Sequence, residues 1–258
     1  MLEKDGLTQY NCFNPMINKS ISIIIPAFNE GANIKRVIGT VFSFLKDNFS
    51  AFEIVVVDDG STDNTAAVLK AVISAGTPLT IVTNPVNKGK GRSVKRGVEE
   101  ASKEYVLMSD ADLSTPLKEV LKFFEYIDQG YDIVIGSRAL PDSRLAVRQG
   151  FLRSSMGKTF NFILQRVLFT GIKDTQCGFK LFKTAQAREL FALQRVERFC
   201  FDAEVLFIAK RRGLRVKEAG VEWANRAESR VAIFRDSLGM FLDLFKIRLN
   251  GWRGFYGP

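Results

Sequence analysis

No histidine occurs among the 258 residues. That absence excludes Ser-His and Cys-His nucleophilic catalysis, imidazole metal ligands and a histidine general base. Any proton transfer falls to carboxylates, lysine, tyrosine or the substrate itself. Cysteine is scarce as well. Cys12, Cys177 and Cys200 are widely spaced and odd in number, which fits neither a zinc site nor a disulfide framework and points to a reducing compartment. Long apolar runs are also missing. The longest are broken by Ser22, Arg166 or Lys246, short of the roughly 20 residues that span a bilayer. Residues 1–19 are polar and lack the apolar centre of a signal peptide. The expectation is a loose N-terminal arm on a cytoplasmic protein without a transmembrane span. There is no internal repeat and no low-complexity linker.

What is present is basic charge. Lys and Arg number 37 against 28 Asp and Glu, a net +9. Such a chain favours polyanionic partners: nucleic acid, nucleotide or pyrophosphate ligands, or an anionic membrane surface. Nucleic acid is the weakest of these, because the aromatics are not interleaved with the basic residues and no recognition-helix motif occurs.

Residues 20–136 alternate between two patterns. Apolar, β-branched runs at 20–28, 52–57, 79–83, 105–108 and 131–136 read as strands. Segments 32–47, 64–74, 93–101 and 116–129 read as helices. The alternation predicts an α/β fold with a mostly parallel sheet flanked by helices, Rossmann-like in plan. In such sheets ligands bind beyond the carboxyl ends of the strands. Four polar clusters fall at those ends: Asn29-Glu30, Asp58-Asp59, Asp110 with Asp112, and Ser137-Arg138. Asp110 and Asp112 carry the chemistry with most to say. Carboxylates one residue apart in a loop supply the hard oxygen ligands that Mg²⁺ or Mn²⁺ takes alongside substrate phosphates.

The second half is less regular. Helices are expected at 150–172, 185–193, 202–212 and 236–249, with strands entering at 174–182 and at 216–222. The first and last of these helices combine large apolar residues with Lys or Arg, the pattern of amphipathic helices that either lie on a membrane surface or pack on the sheet.

IIIPAFNE (23–30), VVVDDGSTDNT (55–65), NKGKG (87–91) and SDADLSTP (109–116) occur here in the order found in family 2 glycosyltransferases of GT-A fold, and the chain resembles that family over residues 20–137. Gly136-Ser137-Arg138, DTQCGFKLF (174–182), FCFDAEVL (199–206) and VEWANRAESR (221–230) are similar to its polyprenyl-phosphate branch, and the glucosyl type is the nearer match. One departure is Ala227-Glu228-Ser229-Arg230, where the family often has Gly-x-Ser-Lys; the charge is kept and the glycine is lost.

The resemblance implies a metal-dependent, inverting transfer of glucose from UDP-glucose to dolichyl or undecaprenyl phosphate. The alternatives are a GDP-mannose-dependent mannose synthase on the same acceptor and, more distantly, a nucleotide-sugar-binding module without turnover. It implies that Pro26, Phe28, Glu30, Val57, Asp58 and Asp59 hold base and ribose, with Lys90 and Ala111 near the nucleotide. Asp110 and Asp112 would position the nucleotide and hold Mg²⁺ or Mn²⁺, Asp112 being the surer ligand. Arg138 and Arg153 would bind the acceptor phosphate, while Arg226 and Arg230 close over the pyrophosphate.

Blander readings compete. Glu30 and Asp63 suit helix N-termini, Asp58 or Asp59 a turn, and Lys90 and Arg153 a solvated surface. Glu204 either edges the core or meets the sugar, and Cys177 reads as a buried small residue. The expected organisation is an arm (1–19), a catalytic domain (20–230) with a nucleotide-sugar half to 138 and an acceptor half beyond, and a membrane-associated segment (231–258) placing the protein on the cytoplasmic face of a membrane. Oligomeric state is left open by the sequence.

Overall fold

The structure, a computed structural model, describes residues 16–145, 151–168, 171–224 and 233–257. The strands are β1 (Ile17–Ala27), β2 (Phe49–Asp58), β3 (Thr80–Thr83), β4 (Tyr105–Met108), β5 (Ile133–Ser137), β6 (Arg144–Leu145), β7 (Lys180–Lys183), β8 (Val216–Gly220) and β9 (Glu222–Trp223). The helices are α1 (Ile34–Asn48), α2 (Thr65–Ser74), α3 (Lys90–Glu100), α4 (Glu119–Asp128), α5 (Phe151–Leu168), α6 (Thr184–Leu193), α7 (Phe201–Arg211) and α8 (Ile233–Trp252).

Seven strands form one sheet in the order β3-β2-β1-β4-β7-β5-β8, and β6 pairs with β9 in a small ribbon. All neighbours in the large sheet are parallel except β7, which runs antiparallel between β4 and β5. The expected mostly parallel sheet is therefore present, with one reversed strand inserted. Both faces of the sheet are covered, which is why its strands are continuous apolar runs rather than alternating ones. Ile23 and Ile25 of β1 pack with Val37, Val41, Leu69, Val120 and Phe123 of α1, α2 and α4. Ile24, between them, packs on the other side with Val94, Leu164, Leu190, Leu206 and Leu244 of α3 and α5 to α8. Each such aliphatic side chain contributes on the order of 1.5–3 kcal/mol when fully buried.

Three boundaries differ from the sequence expectation, each for a local reason. α3 begins at Lys90 rather than Ser93, because Gly89 turns the chain at φ 107° and the helix can start at once. β1 begins at Ile17 rather than at residue 20, inside the expected loose arm, and its pairing with β2 runs on through Pro26, opposite Val57, to Ala27. A parallel strand bonds each neighbour through alternate residues, so one missing N–H is tolerated there. α8 starts at Ile233, ahead of Asp236. Its far end is not a separate appendage, since Leu244, Ile247 and Tyr256 are fully buried in the core.

Candidate active site

In this strand order β1 lies between β2 and β4, and the chain leaves β2 and β4 on opposite sides of it. That reversal opens a crevice at the carboxyl ends of the strands. The loops after β1, β2 and β4 line it, and they are tied to one another before any ligand arrives. Asn29, in the left-handed region at φ 55°, accepts from the Thr62 and Asp63 N–H groups, and its own N–H donates to Ser61 Oγ. Asp63 accepts from the N–H groups of Gly31 and Thr65, so it joins two loops while capping α2. Asp58 accepts from the Ser61 N–H at 3.0 Å, closing the turn that follows β2. Glu30, half-buried, carries the first turn of α1 on its carbonyl, which accepts from Asn33 and Ile34.

Asp59, expected at the base and ribose, has the geometry of a loop anchor. It is buried, one oxygen accepts from Asn84 Nδ2 and the Lys88 N–H, and the other accepts from the Gly89 N–H. Its carboxylate thus shapes the 84–90 loop that delivers Lys90. Pro26 and Val57 stand side by side in the β1–β2 ladder below these loops. Val57 is fully buried, and Phe28 is half-buried at the mouth of the crevice.

The two carboxylates after β4 have different surroundings. Asp110 pairs with Lys90 Nζ at 2.6 Å. Burial alone would lower the pKa of Lys90, but Asp110 and Asp202 outweigh it and hold the lysine above its ordinary value. Lys90 is therefore a fixed cation and not a solvated one. Ala111 is buried between the two aspartates, and Asp112 is exposed with one oxygen accepting from the Ser114 N–H at 2.8 Å. Leu113, at φ 49°, is with Asn29 one of two non-glycine residues with positive φ among the described residues; a β-unbranched residue held there stores strain of the kind that clusters at functional loops. Among the described residues no group of three or more His, Cys, Asp or Glu side chains could enclose a metal ion. The donor set still fits one: two carboxylate positions in one loop, completed by phosphate oxygens and water, suit Mg²⁺ or Mn²⁺ brought with a nucleotide.

The DTQCGFKLF segment closes the opposite wall. Gly178 lies flat against Asp110: a Cβ there would come within 2.1 Å of the Asp110 Oδ2. Cys177 is buried, and desolvation pushes its thiol up to about 11, so it is a packing residue. Lys180, at the start of β7, is buried and pairs with Asp202 at the start of α7, while its ammonium also donates to the Cys177 carbonyl at 2.5 Å. Desolvation raises the Asp202 pKa, and Lys180 and Lys90 oppose it. A relay of alternating charge thus runs Asp110, Lys90, Asp202, Lys180 from the crevice into the core. Sequence reasoning missed Asp202 and Lys180. In the sequence Asp202 is only an acidic residue in a first helical turn.

Arg138 leaves β5 toward the same crevice. Its Nε and Nη2 donate to the two oxygens of Asp174 at 2.7 and 2.8 Å, and its guanidinium lies 5.5 Å from the Trp223 ring centroid. Burial alone would raise the Asp174 pKa, but this paired arginine holds the carboxyl below its usual value. Nη1 takes no part in the pair. Arg153 belongs to α5, but its side chain lies outside the described residues, as do Arg226 and Arg230 altogether. Glu204 is settled in favour of the core. It is fully buried and accepts from the Arg195 and Val196 N–H groups and from Tyr256 Oη at 2.6 Å.

Residues 22–191 match the model of the family described as glycosyl transferase family 2. The dolichyl-phosphate beta-glucosyltransferase of Dictyostelium discoideum is 35% identical over 257 residues, 94% of this chain and 78% of that one. The protein of the same description from Saccharomyces cerevisiae is 32% identical, covering 92% and 76%, and the one from Homo sapiens 31%, covering 91% and 78%. Among solved structures, glucosyl-3-phosphoglycerate synthase of Mycobacterium tuberculosis, in complex with Mn²⁺, uridine diphosphate and glucosyl-3-phosphoglycerate, superposes with a TM-score of 0.64 at 22% identity, over 93% of this chain and 81% of that one.

Proposed function

This chain belongs to glycosyl transferase family 2, and from that premise we propose that it transfers glucose from UDP-glucose to a polyprenyl phosphate, dolichyl or undecaprenyl, with inversion at the anomeric carbon. The observation that carries the reading is similarity along nearly the whole chain to proteins described as dolichyl-phosphate beta-glucosyltransferases.

The chemistry suits a chain without histidine. A phosphate monoester has a second pKa of about 6, so at neutral pH the acceptor is already an oxyanion. No strong general base is needed. The acceptor oxygen attacks C1 of the glucose, the bond from C1 to the UDP oxygen breaks, and UDP departs with the electron pair. In-line displacement turns an α-linked donor into a β-linked lipid phosphosugar. The harder problem is charge, because a dianion must approach a nucleotide diphosphate. Arg138, held by Asp174 with Nη1 outside the pair, is one cation for the acceptor phosphate, with Arg153 as its proposed partner. Asp112, and Asp110 beside it, would hold Mg²⁺ or Mn²⁺, which supplies charge neutralisation on the diphosphate when bound. Lys90 keeps Asp110 oriented. Pro26, Phe28, Glu30, Val57 and Asp58 form the floor and wall for base and ribose, Ala111 packs under the nucleotide, and Arg226 and Arg230 are proposed to reach the pyrophosphate.

No helix among the described residues is long and apolar enough to cross a membrane. We propose peripheral docking on the cytoplasmic face of a membrane through α8, whose Leu242, Phe245, Leu249 and Trp252 form an exposed stripe, 63%, 59%, 41% and 71% exposed. Spaced by three or four residues, they share one helical face, while Leu244 and Ile247 on the other face are fully buried. The helix therefore both packs on the core and offers a membrane-facing side.

The test is a transfer assay with a short-chain polyprenyl phosphate, Mg²⁺ or Mn²⁺ and a panel of nucleotide sugars, with Asp112→Ala as control. Transfer from UDP-glucose, lost in the variant and giving a β-linkage by NMR, is expected. Transfer from GDP-mannose alone would move the chain to the mannose branch, and an α-linked product would refute single displacement.

A further inference from the structure

Away from the crevice, a cavity of about 350 Å³ opens between α3, the loop joining α6 to α7, and α8. Four cations line it: Arg92 and Lys95 from α3, Arg195 from the loop, and Lys246 from α8, with Glu197 the one carboxylate among the lining residues. None of the residues assigned to the catalytic crevice is among them. Its volume is in the range of small-ligand sites. Part of the lining is braced: Lys95 Nζ donates to the Ala192 and Gln194 carbonyls at 3.2 and 3.3 Å, and the Arg195 guanidinium lies 4.1 Å from the Phe255 ring centroid. Gln194 lines the cavity and is 6% exposed, and its Nε2 donates to the Val196 carbonyl, which fixes the amide's orientation. Lys246 joins the cavity to the exposed stripe, lying between Leu242 and Leu249 along α8. Asp243 faces Lys246 and Arg198 nearby, which tempers the field without reversing it.

We propose that this cavity takes the headgroup of an anionic glycerophospholipid whose acyl chains lie along the α8 stripe. Phosphate oxygens would meet Arg92, Lys246 and Arg195. The inference rests on the membrane docking proposed above, and it adds a recognition site to what would otherwise be diffuse attraction. It makes the lipid composition of the membrane a determinant of where this enzyme sits.

The experiment is co-sedimentation with phosphatidylcholine vesicles, with and without phosphatidylglycerol. Binding to the neutral vesicles reports the stripe; the gain with phosphatidylglycerol reports the cavity. Arg92→Gln with Lys246→Gln removes two cavity cations, and Arg248→Gln with Arg253→Gln removes two cations from the C-terminal region outside the cavity. At about a tenfold affinity change for one to two basic residues near an anionic surface, the cavity pair is expected to lose the phosphatidylglycerol gain, tenfold or more, while the control pair keeps most of it. Equal losses would overturn the proposal in favour of diffuse attraction, with membrane docking intact. A wild-type protein that binds neutral vesicles and gains nothing from phosphatidylglycerol would overturn it too, and binding to neither vesicle would overturn both readings. Displacement by millimolar glycerol 3-phosphate would make free phosphate esters the ligand and overturn the lipid source. Transfer to a short-chain acceptor in detergent is expected to be unchanged in the cavity pair, which separates this site from the catalytic one. If the double variant fails to fold by thermal melting, Arg92→Gln alone carries the comparison.

Discussion

Replacing Gly178 by alanine tests the arrangement of the crevice at its tightest point. The added Cβ would lie 2.1 Å from Asp110 Oδ2, 2.5 Å from its Cγ and 2.7 Å from its Oδ1. Real Cβ atoms essentially never come nearer than 3.0 Å, so the carboxylate must retreat. The movement required is about 1 Å, and misplacement of that size at a reacting centre costs on the order of a hundredfold in rate. Stability is expected to fall much less. Overpacking costs about 1–3 kcal/mol in a closed core, but the Asp110 side chain is 37% exposed and can swing toward solvent. A loss near 1 kcal/mol, or roughly 2–4 °C in Tm, follows for a chain of this size. The assay is initial-rate glucosyl transfer beside a thermal melt. The expected result is kcat/KM down about a hundredfold in a protein that still melts cooperatively near the wild-type temperature. Lys90→Ala, which removes the partner of Asp110 at 2.6 Å, is expected to combine with Gly178→Ala less than additively, because both act through one carboxylate. Wild-type turnover in Gly178→Ala, or full additivity of the pair, would refute the reasoning.

Further outcomes follow from the same geometry. Asp112 is exposed, so Asp112→Asn is expected to leave Tm within about 1 °C of wild type while weakening Mn²⁺ binding in the presence of UDP, read by calorimetry. Asp174 has a folded pKa below its model-compound 3.8; its stabilising effect is complete above that value and is lost as pH falls through the folded pKa. Asp174→Asn is expected to cost about 2 kcal/mol at pH 7, less than breaking a fully buried pair because Arg138 is partly exposed, and the gap to wild type in urea unfolding should narrow as pH falls below 3.8. A gap that stays constant with pH would count against the pair. Trp252, 71% exposed beside Arg248, is expected to shift its fluorescence to the blue on anionic vesicles, and Trp252→Ser to weaken binding; an unshifted spectrum at saturating lipid would argue that α8 faces water.

The strands after which the site residues come were legible because each carries its own signal. FEIVVV and YVLM announce strands buried on both faces, and the Asp pairs that follow them announce loop ends. What was not legible is what depends on partners distant in sequence. The 174–182 segment signals a strand but not its antiparallel place between β4 and β5; Lys180 at its start argues against a central strand and is tolerated there because Asp202, far along the chain, neutralises it inside the core. The clamp of Arg138 by Asp174 spans 36 residues, and no spacing rule joins them. The loop-shaping role of Asp59 was not legible because the sequence displays its charge but not the two backbone N–H groups that donate to it. Glu204 read as ambiguous for the same reason, since Tyr256, its hydroxyl partner, lies near the C-terminus.

The reversed strand has a consequence for how this protein is made. β4 and β5 follow one another in the chain, yet they never touch; the slot between them is filled by β7, whose last residue is Lys183. While the ribosome has delivered the chain only as far as β5, both of those strands present open edges, the state most prone to pair with another chain. The nascent protein therefore cannot close its sheet on a first-come basis, and the stretch through β5 is not a unit that could be severed, borrowed or inherited alone. Dividing the gene after β5 should yield two fragments that are insoluble apart and recover a fold only when synthesised together.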